Sequence, residues 1–158
     1  MQIDVTERAK RAKRLFKEGY NCAQSVFMAF ADLYSLDAAM AATISGSFGG
    51  GIGRMREVCG ACSGMFLTAS MAIPTHDVKD KAAKAANYKM VQELAAEFKA
   101  ENGSIICREL LGLTDNVPTS ITGERLQAAT KKRPCDELVY MAAEILGNQL
   151  IKLEKCEF

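Results

Sequence analysis

Apolar residues recur along this chain at three- and four-residue spacing and almost nowhere in strict alternation. Cys22, Val26, Phe30 and Leu33 form one such stripe, the mark of a helix with one buried face. Ala9, Ala12, Leu15 and Phe16 trace a narrower stripe through a segment otherwise carrying Arg8, Lys10, Arg11, Lys13, Arg14 and Lys17. Alternating β-branched runs are missing, and alanine, methionine, lysine and glutamate dominate. The pattern predicts an all-α fold: a single-domain multi-helix bundle over residues 1–158, with a glycine-rich interhelical loop.

Capping and breaking residues set the boundaries. A first helix runs over about 5–18, with Asp4 and Glu7 as a capping pair and Gly19 as its stop. A second covers about 22–34 behind the cap Asn21, with Gln24 three positions on. A third covers about 37–45. The stretch Phe48-Gly49-Gly50-Gly51-Ile52-Gly53-Arg54 is too rich in glycine for regular structure. A fourth helix starts near Cys59 or Gly60 and stops before Pro74. The fifth, about 77–101, is capped by Asp77 and stopped at Asn102-Gly103. Short helices follow over about 105–111 and 120–130, and Pro134 opens the last, about 134–154.

Composition narrows the class without changing the fold. With 49% hydrophobic and 25% charged residues in 158, the chain suits one packed domain and not a disordered one. Lysine and arginine total 20 against 19 acidic residues, so no global field draws the chain to nucleic acid or an anionic membrane. Apolar runs fall short of a bilayer span, and Met-Gln-Ile-Asp does not read as a signal peptide, so a cytoplasmic address is expected. In that reducing compartment the six cysteines are expected as core thiols, ligands or redox groups, not permanent disulfides.

Four of those cysteines fall at predicted helix starts. Cys22 follows the cap Asn21, Cys59 opens the fourth helix, Cys107 lies three residues after the candidate cap Ser104, and Cys135 follows Pro134. A helix N-terminus presents unpaired N–H groups and a partial positive charge. It favours thiolate over thiol, and thiolate is the form that attacks disulfides, binds metals and holds iron–sulfur clusters. Plain burial is the competing use, because cysteine packs as a small hydrophobe. Cys59-Gly60-Ala61-Cys62 adds a C-x-x-C, which serves either a dithiol–disulfide couple or two ligands of one metal. No βαβ pattern surrounds it, against a thioredoxin reading, and no second close pair or histidine accompanies it, against a zinc finger. Cys156, near the C-terminal end, reads as incidental.

Gly19-Tyr20-Asn21-Cys22-Ala23-Gln24-Ser25-Val26, the glycine stretch from Phe48 to Arg54, and Cys59-Gly60-Ala61-Cys62-Ser63-Gly64, followed by Cys107 and Cys135, together resemble the C_GCAxxG_C_C family. That family is named for its cysteines and credited with redox activity. The resemblance implies that the family's four cysteines are Cys22, Cys59, Cys107 and Cys135, and that Cys62 occupies a variable position of the C-G-A-x-x-G element. The family is also similar to the N-terminal part of the split-Soret cytochromes, which implies a cluster-binding role. Those cytochromes attach haem through C-x-x-C-H; here Ser63 follows Cys62, so no covalent haem is expected.

Two redox mechanisms stand as expectations. In one, Cys22, Cys59, Cys107 and Cys135 ligate an iron–sulfur cluster. In the other, Cys59 attacks and Cys62 resolves as a catalytic dithiol–disulfide couple. Against both stands a non-redox binding module that holds zinc or a small anion at helix N-termini and the glycine loop. In that loop Gly49, Gly50, Gly51 and Arg54 are the candidate cofactor-binding residues, since glycine lets backbone approach a ligand and Arg54, with Arg56, supplies positive charge. The loop lacks the G-x-x-x-x-G-K-[ST] pattern and follows no strand, against a nucleotide site; a close helix crossing is its plain structural use. His76 reads as a solvated loop residue, and the basic side of the first helix as a solvated face. Expected partners are an unidentified redox protein and a second copy of the chain as a homodimer, with no nucleic acid and no membrane span.

Overall fold

The computed structural model describes residues 2–113 and 134–156, and the expected helix at 120–130 lies outside them. Among the described residues the fold is all-α, with no strand and one isolated antiparallel bridge between Val58 and Ile106. No described helix is long and apolar enough to cross a membrane.

Helix α1 (Val5–Glu18) begins where the Asp4 carboxylate accepts the Glu7 N–H at 3.1 Å, and ends at Gly19 with φ +113°. It packs along α8 (Cys135–Cys156), burying Ala9, Ala12 and Phe16. Gly147 permits that approach: a Cβ there would stand 3.1 Å from a Val5 methyl. Lys10, Arg14 and Lys17 remain exposed, while Arg8 folds back over the Phe30 ring, 5.8 Å from its centroid.

Helix α2 (Cys22–Met28) opens with a reciprocal capping box: Asn21 Oδ1 accepts the Gln24 N–H, and Gln24 Oε1 accepts the Asn21 N–H. It is shorter than its apolar stripe predicts. After Ala29 the chain tightens into a 3₁₀ turn, Ala31–Tyr34. The Leu33 N–H bonds to the Phe30 carbonyl, and the Ala29 carbonyl accepts the Arg8 guanidinium at 2.9 Å. The stripe survives the change of pitch, with Val26 and Phe30 fully buried and Leu33 packed beside them.

Helix α3 (Ala38–Ser45) is capped by Asp37 and runs into the glycine segment, where α4 (Gly49–Ile52) is a single turn. Helix α5 (Gly60–Ala72) occupies the centre, packed against α2, α8 and α6 (Lys81–Asn102). Gly60 and Gly64, one turn apart, let α2 come close. A Cβ at Gly64 would lie 2.8 Å from the Ala23 carbonyl oxygen and from Val26 Cβ. Helix α6 starts four residues after the expected position because Asp80, not Asp77, supplies its cap; Asp77 Oδ1 instead accepts the Lys79 N–H within the preceding turn. Helix α7 (Cys107–Leu110) is one turn long. Met65, Leu94, Phe98, Val139 and Leu146 form the centre of the main core.

Candidate functional site

The four helix starts converge. Cys22 is the first residue of α2, Cys59 the N-cap of α5, Cys107 the first residue of α7 and Cys135 the first of α8. Their side chains line one enclosed cavity of about 40 Å³, shared with Gly50, Gly51 and Arg56 and walled by Leu110, Leu111 and Leu138. A larger groove of about 620 Å³ between α6 and α8 gathers none of these four thiols.

Local backbone explains the convergence. Gly50, Gly51, Ile52, Gly53 and Arg54 all have φ between +57° and +69°, and Arg56 follows at +59°. This is a left-handed turn, which costs a residue with a Cβ about 1–2 kcal/mol. It is held by the Gly53 N–H to the Ser47 carbonyl at 2.8 Å and by the Glu57 N–H to the Gly51 carbonyl at 2.9 Å. Its inner face presses on α7, because a Cβ at Gly51 would stand 2.6 Å from Cys107 Cβ and 2.8 Å from Arg56 Cα. Residues 56–59 are then laced to residues 105–108. The Cys59 N–H reaches the Ile105 carbonyl at 2.7 Å, the Cys107 N–H reaches the Glu57 carbonyl, and Arg108 pairs with Glu57 at 3.1 Å. Cys59 and Cys107, 48 positions apart in sequence (107 − 59), are thereby locked to one another. On the other side, a Cβ at Gly60 would lie 3.0 Å from Cys22 Cβ, so the missing side chain sets Cys22 against the start of α5.

The turn also swings Arg56 inward. It is the one charged side chain buried among the described residues, and its Nη1 lies 3.7 Å from Cys107 Sγ. Arg54, the arginine expected here, is half-buried and does not line the cavity; it packs under Gly50. Of the expected glycines, Gly50 and Gly51 line the cavity, while Gly49 lies against the Asn21 side chain. Nothing in the residue spacing separates Arg54 from Arg56; the handedness of the turn does. His76 is exposed, and Cys156 is exposed at the end of α8.

The thiols differ electrostatically. Cys62 donates a hydrogen bond to Cys59, and this, with the amides of Ala61 and Cys62 facing the sulfur, holds the Cys59 pKa below the ordinary thiol value despite burial. No conventional side-chain cap bond forms at Cys59; the effect is that of helix-start amides aimed at a soft acceptor. Burial, then the bond to Cys59, pushes Cys62 well above the ordinary value. The hydrogen bond between Cys22 and Cys135, then burial, raises Cys22 well above it. Burial raises Cys107 and outweighs the opposing pull of Arg56.

A single zinc needs its sulfurs about 2.3 Å from one centre. Among the described residues no three His, Cys, Asp or Glu side chains are grouped to hold a metal ion. A cluster asks for something else: thiolates spread around a core of several atoms. Cys22, Cys59, Cys107 and Cys135, which line one cavity, are the residues that would hold such a group.

A family profile described as "Putative redox-active protein (C_GCAxxG_C_C)" matches residues 20–149. No curated protein and no solved structure gives a match.

Proposed function

Since the chain belongs to the C_GCAxxG_C_C family, a family described by redox activity, we propose that its redox unit is Cys22, Cys59, Cys107 and Cys135 holding an iron–sulfur cluster. The observation that carries this reading is that these four thiols, from four separate helix starts, line one cavity. A bound cluster would supply one-electron transfer. The chain's own residues then have defined tasks. The four sulfurs are the ligands. Helix N-termini and the buried Arg56 guanidinium offset the negative charge that thiolates bring. Gly51 lets backbone lie against Cys107, where any side chain would collide. Leu110, Leu111 and Leu138 form the apolar wall beside the sulfurs. The reading requires a reducing compartment, in keeping with the expected cytoplasmic address.

Anaerobic purification followed by iron and acid-labile sulfide analysis tests it. Stoichiometric iron and sulfide are expected, with visible absorption that is strong relative to a near-ultraviolet protein band left weak by the lack of tryptophan. Replacement of any one of the four cysteines by serine is expected to lower the iron content. A colourless, iron-free protein with full electron-transfer capacity overturns the reading.

A second reading is favoured by the direct thiol contact between Cys22 and Cys135. There the four-thiol site works without metal, cycling between dithiol and disulfide. A free-thiol count before and after mild oxidation separates the two, since the metal-free mechanism loses two thiols per turn. The zinc or anion module is the non-redox alternative, and stoichiometric zinc with an unchanged free-thiol count would favour it.

A further inference from the structure

Cys62 stands outside the four-thiol cavity and yet touches it through one atom. It sits in the first turn of α5, three residues after Cys59, and is fully buried in the main core. Its thiol is hydrogen-bonded to the Cys59 sulfur, which faces the cavity from the other side. Cys59 therefore stands between the shared cavity and Cys62, and a covalent bond to Cys62 would take its sulfur from the cavity. Building on the cluster-ligand reading, we propose that Cys59 and Cys62 form a peroxide-responsive pair, whose disulfide reversibly withdraws Cys59 from the four-thiol site.

The cavity selects the oxidant by size. A water occupies about 10–15 Å³ of such space, so about 40 Å³ admits hydrogen peroxide but not a peptide disulfide. The Cys59 thiol attacks one peroxide oxygen, the O–O bond breaks, and Cys59 becomes a sulfenic acid with release of one water. The Cys62 thiol then attacks the Cys59 sulfur, the S–O bond breaks, an S–S bond forms, and a second water leaves. Overall two thiols lose two electrons and two protons, and one peroxide is reduced to two waters. A dithiol reductant returns both cysteines to thiols.

Three features support closure at this pair. Cys59 is an N-cap and Cys62 lies in the first turn of the same helix, so the ring closes within one element and moves no helix against another. The sulfurs are already in hydrogen-bond contact. Of the pair, Cys59 lines the cavity and Cys62 does not, so a small oxidant in the cavity meets Cys59 and the resolving thiol lies behind it.

The test uses the full-length, reduced, metal-free protein treated with one equivalent of hydrogen peroxide. Non-reducing peptide mapping by mass spectrometry is expected to find Cys59 joined to Cys62. Iron uptake is expected to fall about tenfold, since one of four ligands is lost, and to return after dithiol treatment. In Cys62→Ser the sulfenic acid has no resolving thiol, so Cys59 is expected to reach sulfinic acid, which dithiol does not restore. A map showing Cys22 joined to Cys135, or both Cys59 and Cys62 still reduced, overturns the proposal, as does full dithiol recovery in Cys62→Ser. Failure of untreated protein to take up iron overturns the cluster reading instead, and the map still decides on the pair.

Discussion

At Cys59 the sequence and the surroundings act in the same direction. The helix start and the Cys62 thiol both stabilise its thiolate, while burial works against it. In the reduced, metal-free protein, Cys59 is expected to alkylate with a midpoint below that of an ordinary thiol, and Cys62 and Cys22 with midpoints well above. Pulsed alkylation across pH with site-resolved mass spectrometry reads the order, and a Cys59 midpoint above that of Cys62 contradicts it. The raised thiols carry a consequence for stability. A thiol whose folded pKa exceeds its unfolded value stabilises the fold fully below the unfolded pKa and loses that contribution as pH rises. Cys22, Cys62 and Cys107 all act in this direction and Cys59 alone acts in the other. The urea midpoint of the metal-free protein is therefore expected to fall from pH 8 to pH 10, and a rise would refute the assignment. The four helix starts were legible in the sequence, although before Cys107 the N-cap is Ile106 and not the expected Ser104, whose hydroxyl instead accepts the Ile106 N–H. The inward turn of Arg56 was not, because it depends on the left-handed backbone from Gly50 to Arg54, which the glycines permit but do not dictate.

Among the elements, local signals did well wherever one cap stood alone. Asp4, Gly19, Asn21 with Gln24, and Gly103 all act where the sequence places them. The start of α6 was misplaced because two aspartates three residues apart both read as caps, and Asp80 takes that role while Asp77 closes the preceding turn. Helix α2 broke early for a tertiary reason, the Arg8 guanidinium on the Ala29 carbonyl. The glycine segment serves two purposes at once: it is a left-handed turn and it brings backbone onto Cys107. Gly51→Ala is expected to destabilise the protein by about 2–4 kcal/mol, combining left-handed strain with overpacking, and to displace Cys107. Chemical denaturation with iron content as a second readout checks both. Gly64→Ala is a cleaner probe of the α2–α5 crossing. Helix propensity alone favours alanine by about 1 kcal/mol, yet contact with the Ala23 carbonyl and Val26 is expected to turn the result into a net loss. A more stable Gly64→Ala protein would mean that the helices can part without cost.

Over the whole molecule, α1 ties the two ends of the described chain together, lying along α8 and reaching the end of α2 through Arg8 and the following 3₁₀ turn through Arg8 and Arg11. Asp32 accepts both guanidinium groups, and the Arg8 bond chiefly holds its carboxyl below the ordinary value. Its stabilising contribution is present above the unfolded carboxyl pKa and is lost as pH falls through the lower folded value. Arg8→Ala is therefore expected to shift acid unfolding to higher pH, followed by helical circular dichroism; an unmoved midpoint would make the contact ornamental. By itself the sequence determined what nearest neighbours determine: helical periodicity, the caps, and the placement of Cys22, Cys59, Cys107 and Cys135 at positions where amide dipoles favour a thiolate. These depend on contacts a few residues apart, which the linear order displays. Only the tertiary structure decided that the four sulfurs share one cavity, that Cys62 turns its back on it, and that Arg56 and not Arg54 enters. Those outcomes rest on Gly51, Gly60 and Gly64 being pressed against residues distant in sequence, and a close approach between distant backbones leaves no periodic trace along the chain.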